Sequence, residues 1–150
     1  MGKISFLKKL REVPCIACDS SIFIYGFEEH PKYAHLLETI FEKIEEYNIE
    51  ILGSVILFSE ILVGPLKAHD VTIAETYMSY FSPSDTKRFL PVSSRIAIKA
   101  AELRAEYNLP LVDCIHLATA IHEKAPLFLT NDKALKRVQE ITVICLDDIV

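Results

Sequence analysis

The chain has 150 residues, the length of one domain with a substantial buried core. Its composition is 51% hydrophobic and 25% charged, which excludes a disordered or fibrous protein. The net charge of -5 argues against a surface coated with positive charge for bulk nucleic-acid binding, although it leaves room for a local basic patch. No apolar stretch approaches the ~18 residues that span a bilayer, so we expect a cytoplasmic protein without membrane attachment.

Hydrophobic periodicity and turn residues divide the chain into short strands and amphipathic helices. In chain order they predict a strand over 15–19, a helix that begins near 20 or 21, a helix over 33–47, a strand over 49–52, helices over 55–63 and 70–81, a strand over 89–92, helices over 93–107 and 112–124, a strand over 127–130, a short helix over 133–138 and a strand over 142–146. This alternation predicts an α/β fold, with a central, mostly parallel sheet of four to five short strands covered by helices on both faces.

Two carboxylates lie at the ends of predicted strands. Asp19 ends the first strand, and Asp132 follows the strand over 127–130. In an open parallel sheet the functional site lies at the edge formed by the carboxyl ends of the strands, which we call the rim. Both residues are therefore expected at the rim, although each could instead cap the helix that follows it, a role compatible with metal binding.

Two further carboxylates interrupt apolar helices. Glu60 lies in the helix over 55–63, which has almost no polar face, so its charge should be paired, protonated or bound to a metal. Asp113 lies in the first turn of its helix, where it either complements the helix dipole or reaches the rim. Four carboxylates that meet at one place would form a divalent-cation site, and such a site indicates phosphate chemistry.

Histidines and basic residues give weaker signals. His116 and His122 are six residues apart, which is not the spacing of two metal ligands on one helix face, so we interpret each as structural or surface. Arg95 and Lys99 are four apart and share a helix face, which either contacts phosphates or is merely solvated. The candidates for substrate contacts are Arg95, Lys99, Lys133, and Lys87 or Arg88.

The four carboxylates lie in short segments whose order and spacing extend from about residue 14 to 147. These segments are Asp19-Ser20-Ser21-Ile22-Phe23-Ile24-Tyr25, Ser59-Glu60-Ile61, Val112-Asp113-Cys114-Ile115-His116-Leu117-Ala118-Thr119-Ala120 and Leu129-Thr130-Asn131-Asp132. As an ordered set they resemble the PIN-domain ribonuclease family, most closely its VapC-type toxin branch. The resemblance implies a single PIN-like domain over 1–150, a three-layer α/β/α sandwich. Residues 1–13 form an N-terminal extension outside the pattern, with no role assigned beyond that of a basic arm.

The resemblance also implies a site and its partners. The family's catalytic and metal-binding acids map onto Asp19, Glu60, Asp113 and Asp132, and its substrate-site hydroxyls map onto Ser21 and Thr130. One departure is Cys114, where many relatives have Ala, a change that is conservative in size. The implied function is a ribonuclease dependent on one or two Mg²⁺ or Mn²⁺ ions. The implied substrate is RNA. The implied partners are an antitoxin protein and a second copy of the chain.

Two other functions stay open at this point. One is a catalytically silent PIN-like scaffold that binds RNA or protein without cutting. The other is a phosphatase with Asp19 as the nucleophile. Such phosphatases commonly carry a second Asp two residues after the first, and Ser21 at that position counts against this alternative.

Overall fold

A computed structural model describes residues 1–150 and contains one five-stranded sheet. Its strands are β1 (Cys15–Cys18), β2 (Glu50–Ser54), β3 (Lys87–Leu90), β4 (Leu127–Thr130) and β5 (Thr142–Cys145). The order across the sheet is β3-β2-β1-β4-β5, and every neighbouring pair is parallel. The predicted α/β fold with a parallel sheet is therefore confirmed.

Helices cover this sheet. They are α1 (Lys3–Leu10), α2 (Ser20–Phe27), α3 (Ala34–Glu46), α4 (Ile56–Lys67), α5 (Val71–Tyr80), α6 (Ser94–Tyr107) and α7 (Leu111–His122), with 3-10 helices at Lys133–Arg137 and Leu146–Asp148. None of them combines the length and the apolar composition that crossing a lipid bilayer requires.

The strands direct alternate side chains to opposite faces of the sheet, and each face has its own hydrophobic cluster. In β1, Ile16 and Cys18 belong to a cluster of 22 buried residues, whereas Ala17 belongs to a second cluster of 15. Helices α1 to α5 contribute to the larger cluster, and α6 and α7 contribute to the smaller one. The molecule is thus the three-layer sandwich that the resemblance implied.

Strands β1 and β4 lie side by side in the sheet and bring their carboxyl ends to the same place. Their register pairs Cys18 with Leu129, so the residues that follow these two positions are neighbours at the rim. Those residues are Asp19, directly after β1, and Thr130, the last residue of β4. A parallel pairing thus joins two segments that are more than a hundred residues apart in the sequence.

Two predicted boundaries are wrong. The helix predicted to end at Gly64-Pro65 continues to Lys67, because the loss of one backbone donor at Pro65 removes only one hydrogen bond in the last turns. The helix ends instead where His69 adopts a left-handed conformation, with φ of 54°. The strand predicted over 89–92 is shifted to Lys87–Leu90, because Pro91 has no N–H group for the ladder.

Residues 1–13 are not merely a basic extension. They contain α1, in which Phe6 and Leu10 are fully buried in the larger hydrophobic cluster. These two residues are four positions apart and so share one face of the helix. At the other end of the chain, Leu146 and Ile149 are buried in the same cluster.

Candidate active site

Asp19 is a buried carboxylate that is held by two hydroxyl groups. It occupies the N-cap position of α2 and is 7% exposed, yet its side chain makes no capping hydrogen bond to that helix. Ser21 Oγ donates to Asp19 Oδ1 at 2.5 Å, and Thr130 Oγ1 donates to Oδ2. Capping therefore does not account for the Asp19 carboxylate, which is instead fixed in orientation at the rim.

Burial raises the pKa of the Asp19 carboxyl above its ordinary value. The Ser21 and Thr130 hydroxyls act in the opposite direction because they donate to the charged form, and the negative charge of Glu60 raises this pKa further. The charge of His116 also lowers this pKa, but burial is the largest contribution, so a bound cation would offset a desolvation that the protein offsets only in part.

Asp132 lies beside this pair at the end of β4. Its backbone N–H donates to Thr130 Oγ1 at 3.0 Å, so Thr130 connects the main chain of Asp132 to the side chain of Asp19. Asp132 Oδ1 accepts from the N–H of Ala134 at 2.9 Å. Asp132 is exposed and caps the following 3-10 helix with one oxygen, which leaves the other oxygen available at the rim.

Glu60 forms a hydrogen bond with a buried histidine from another helix. His116 Nε2 bonds to Glu60 Oε1, and since a carboxylate oxygen accepts, the Nε2–H donates. The His116 side chain is 2% exposed, and its Nδ1 is buried without a partner. Of the two interpretations of His116, structural or surface, the structure agrees with the structural one, because this buried side chain joins α7 to Glu60 on α4.

Asp113 connects the four acids electrostatically. It lies half-buried in the first turn of α7, and burial raises its pKa above the ordinary value of 3.8. The negative charges of Asp19, Asp132 and Glu60 raise the pKa of Asp113 as well. Since the charge of each of the other three acids reaches Asp113, the structure brings the four predicted acids into one electrostatic neighbourhood.

The donor set at the rim fits a hard divalent cation. Carboxylate and hydroxyl oxygens are the ligands that Mg²⁺ and Mn²⁺ prefer, and a bound cation would offset the burial of Asp19 and Asp113. As the side chains stand, no three His, Cys, Asp or Glu residues converge closely enough to hold one ion. The residue types thus fit a divalent cation, whereas their spacing in this structure does not form a closed site for one ion.

The basic residues predicted to contact phosphates differ in their exposure and in their ion pairs. Arg95 is exposed in the first turn of α6 and makes no ion pair, and Lys133 has a 68% exposed side chain at 3.7 Å from Asp147. Lys99, by contrast, forms an ion pair with Glu140. Arg95 and Lys133 are thus more available to a ligand than Lys99.

Lys87 and Arg88 are engaged within the protein. Lys87 Nζ donates to the Tyr80 carbonyl oxygen at 2.8 Å and lies 3.6 Å from the centre of the Tyr80 ring. Arg88 forms ion pairs with Glu50 at 3.1 Å and Glu123 at 2.8 Å. These contacts direct both cations to neighbouring side chains and backbone within the chain.

The raised pKa of Asp113 predicts a pH-dependent stability difference. Without a metal, folded wild-type protein keeps the Asp113 proton to a higher pH than the unfolded chain does. The free energy of unfolding of wild type therefore falls as the pH rises through the raised pKa of Asp113 in the folded state. Asp113→Asn does not titrate there and should become more stable relative to wild type as the pH rises above 3.8, the ordinary pKa of the carboxyl. Urea denaturation in EDTA measures the difference, and a difference that is the same at each pH would contradict the assignment.

A family model for the PIN domain matches residues 16–141 of the chain. The chain belongs to the PIN-domain family. Its fold is also similar to that of three solved structures. VapBC2 from Rickettsia felis, bound to a DNA fragment from the promoter, has a TM-score of 0.68 and 20% identity over 87% of this chain and 98% of that chain. A toxin–antitoxin complex from Klebsiella pneumoniae has a TM-score of 0.62 and 26% identity over 86% and 95%.

The third structure is DNA-bound VapBC from Salmonella typhimurium, with a TM-score of 0.66 and 17% identity over 87% of this chain and 97% of that chain. A search of curated proteins finds no match. The family match covers the part of this PIN domain that contains all four acids, and α1 lies outside it.

Proposed function

We propose that this PIN domain is a metal-dependent endoribonuclease that hydrolyses phosphodiester bonds in RNA. The observation that supports the proposal is that the negative charges of Asp19, Glu60 and Asp132 all act on Asp113, near the carboxyl ends of β1 and β4. There the buried Asp19 carboxylate is oriented by two hydroxyls, and the charges of the other three acids reach Asp113. Burial raises the pKa of both Asp19 and Asp113, so this end of the sheet is suited to receive a cation.

Each residue has a distinct task in this proposal. The acids that would hold the metal are Asp19, Glu60, Asp113 and Asp132. A bound Mg²⁺ or Mn²⁺ ion would neutralise charge on the phosphate and favour the ionisation of water. Ser21 and Thr130 hold the Asp19 carboxylate in one orientation, and His116 does the same for Glu60.

Basic side chains near the rim would contact the RNA backbone. Arg95 begins α6, which follows the carboxyl end of β3, and Lys133 follows Asp132 directly. Both are exposed, so they can approach phosphates at low cost in desolvation. Lys99 would first have to exchange its ion pair with Glu140 for the phosphate, which makes its contribution smaller.

Chelation tests the metal dependence. Cleavage of single-stranded RNA by wild-type protein should stop in excess EDTA and return when Mg²⁺ or Mn²⁺ is added beyond the chelator, because the acids need the cation to act on the phosphate. Calorimetric titration of the EDTA-treated and dialysed protein should record cation binding. Gel analysis of labelled RNA measures cleavage.

Three other results would each reject the proposal. Cleavage that continues in EDTA contradicts the metal dependence. RNA binding with neither cleavage nor cation binding indicates the catalytically silent scaffold. A trapped aspartyl-phosphate on Asp19 indicates the phosphatase.

We further propose that the protein is the toxin of a toxin–antitoxin pair, in keeping with the complexes that share its fold. An apolar surface on α4 and α5 supports a protein partner. Its exposed side chains are Val63, Leu66, Val71 and Met78. Met78 also lines an apolar cavity of about 150 Å³ between the two helices. An antitoxin that covers this surface could extend a segment to the rim. Homodimerisation stays a prediction.

A further inference from the structure

A cluster of three aromatic rings lies where α2 and the following loop approach the end of the chain. Tyr25 and His30 have ring centres 4.4 Å apart, and Tyr25 stacks on Tyr33 at 5.5 Å with an interplanar angle of 11°. Tyr33 is 4% exposed, whereas Tyr25 and His30 are half-buried. Two of the three rings therefore keep part of their surface accessible, and we call this group the aromatic cluster.

Hydrogen bonds hold the aromatic cluster in place. The backbone N–H of Lys32 donates to His30 Nδ1 at 3.1 Å, which leaves Nε2 as the N–H donor of the neutral ring. Tyr33 OH donates to Asp147 Oδ1 at 2.5 Å. The rings are thus oriented before any ligand arrives, which lowers the entropic cost of binding a flat molecule.

The aromatic cluster is connected to the acidic site. Asn131 Nδ2 donates to Tyr25 OH at 3.5 Å, and Asn131 lies between Thr130, which holds Asp19, and Asp132. Tyr25 is six residues after Asp19 along α2, a separation of about 9 Å on the helix axis. Tyr25 therefore lies beside the rim, and the half-buried His30 ring adjoins it.

Positive charge flanks the aromatic cluster. Lys32 Nζ lies 2.7 Å from Asp147 Oδ1 and 5.0 Å from the centre of the Tyr33 ring, and Lys133 lies on the other carboxylate oxygen at 3.7 Å. The side chains of Lys32 and Lys133 are 55% and 68% exposed. Each ammonium has three donors, so both can contact a phosphate while they remain near Asp147.

We propose that the aromatic cluster is a nucleobase-binding subsite, in which Tyr25 and His30 stack on a base that flanks the scissile phosphate. Lys32 and Lys133 contact the adjoining phosphate. The proposal rests on the proposed ribonuclease function and adds to it the recognition of an unpaired nucleotide. Stacking on an aromatic ring tolerates every base, because each base has a π-face, and it requires that the base be splayed out of a duplex. The subsite therefore selects single-stranded RNA over duplex RNA.

The test measures RNA binding by proteins that also carry Asp19→Asn, so that the RNA is bound but not cut. The RNAs are a single-stranded oligoribonucleotide with all its bases and a series of the same sequence in which one position at a time is abasic. The recognised position is the one whose abasic RNA binds the Asp19→Asn protein more weakly. Tyr25→Leu and His30→Ala should each weaken binding of the normal RNA by about five- to a hundredfold. Neither variant should change the affinity for the RNA that is abasic at the recognised position.

A fluorescent base gives a second measurement. 2-Aminopurine at the recognised position should be quenched on binding, and the quenching should be lost in Tyr25→Leu. Tyr47→Leu is the matched control, because Tyr47 is a half-buried tyrosine like Tyr25 and has the cations Arg11 and Lys43 over its ring, but lies at the opposite end of α3 from the aromatic cluster. A variant that misfolds loses affinity for normal and abasic RNA alike, so the comparison separates stacking from folding.

The outcomes distinguish this proposal from the function on which it depends. If wild-type protein cuts RNA but the two variants bind normal and abasic RNA with unchanged affinity, the nucleobase subsite is wrong and the ribonuclease stands. Equal loss of affinity for both RNAs, in a variant that unfolds as cooperatively as wild type, also rejects the subsite. If wild-type protein neither binds nor cuts RNA, both proposals fall.

Discussion

Asp19→Asn should lose RNA cleavage by about a thousandfold or more while the protein stays folded. The substitution removes the buried charge that would hold the cation, and such electrostatic stabilisation contributes several kcal/mol to the transition state. The unfolding free energy should be equal to that of wild type or higher, because burial of the Asp19 carboxylate is unfavourable without a cation. Cleavage kinetics and urea denaturation measure the two effects on the same protein.

Asp70→Asn is the matched control for this substitution. Asp70 is exposed at the N-cap of α5, where its Oδ1 accepts from the N–H of Ile73 at 3.1 Å, and Asn caps a helix equally well. This control should cleave RNA at the wild-type rate. Asp19→Asn protein that retained full activity would remove Asp19 from the catalytic site, and a cooperative unfolding transition would show that the result is not due to misfolding.

His116→Leu should lower RNA cleavage about 10- to 100-fold, the usual effect of removing a group that orients a metal-binding side chain. Leu fills a similar volume but leaves Glu60 without its hydrogen bond. The melting temperature should not fall in parallel, because the substitution also removes the unpartnered Nδ1 from the interior. Calorimetry should record weaker cation binding by the variant, a change that a purely structural role of His116 would not produce.

Two further variants make this prediction sharper. His116→Gln can present an amide N–H to Glu60, so it should retain more activity than His116→Leu. His122→Leu replaces the exposed histidine at the end of α7 and should cut RNA as wild type does. Equal activity of wild type and His116→Leu would show that the contact with Glu60 does not matter for function.

The sequence was sufficient to predict most of the architecture because the signals are local. Short apolar runs such as 15–18 and 127–130 are bounded by polar residues, and their alternation with amphipathic helices indicates a parallel sheet. The rim positions of Asp19 and Asp132 follow from that topology alone. The apolar surroundings of Glu60 predicted a partner for its charge, and the structure supplies His116.

Other features depend on contacts between distant segments, which no local pattern contains. The spacing of His116 and His122 predicted that they are not a pair of metal ligands, yet it contained no information that His116 would meet Glu60 from another helix. Likewise, the hydroxyl of Thr130 reaches Asp19 only because β4 pairs with β1. Helix α1 was missed although Phe6 and Leu10 have helical spacing. It has only eight residues, four of them basic or polar, and so short a segment gives a weak signal.

The shared burial of α1 and the segment after β5 in one hydrophobic cluster bears on how the protein folds. Phe6 and Leu10 are far from Leu146 and Ile149 in the sequence, yet all four side chains belong to the same cluster. Contacts between such distant segments form late, since the loop between them must close first. The larger core is therefore complete only once these two distant segments have met, which makes their contact a late step of folding.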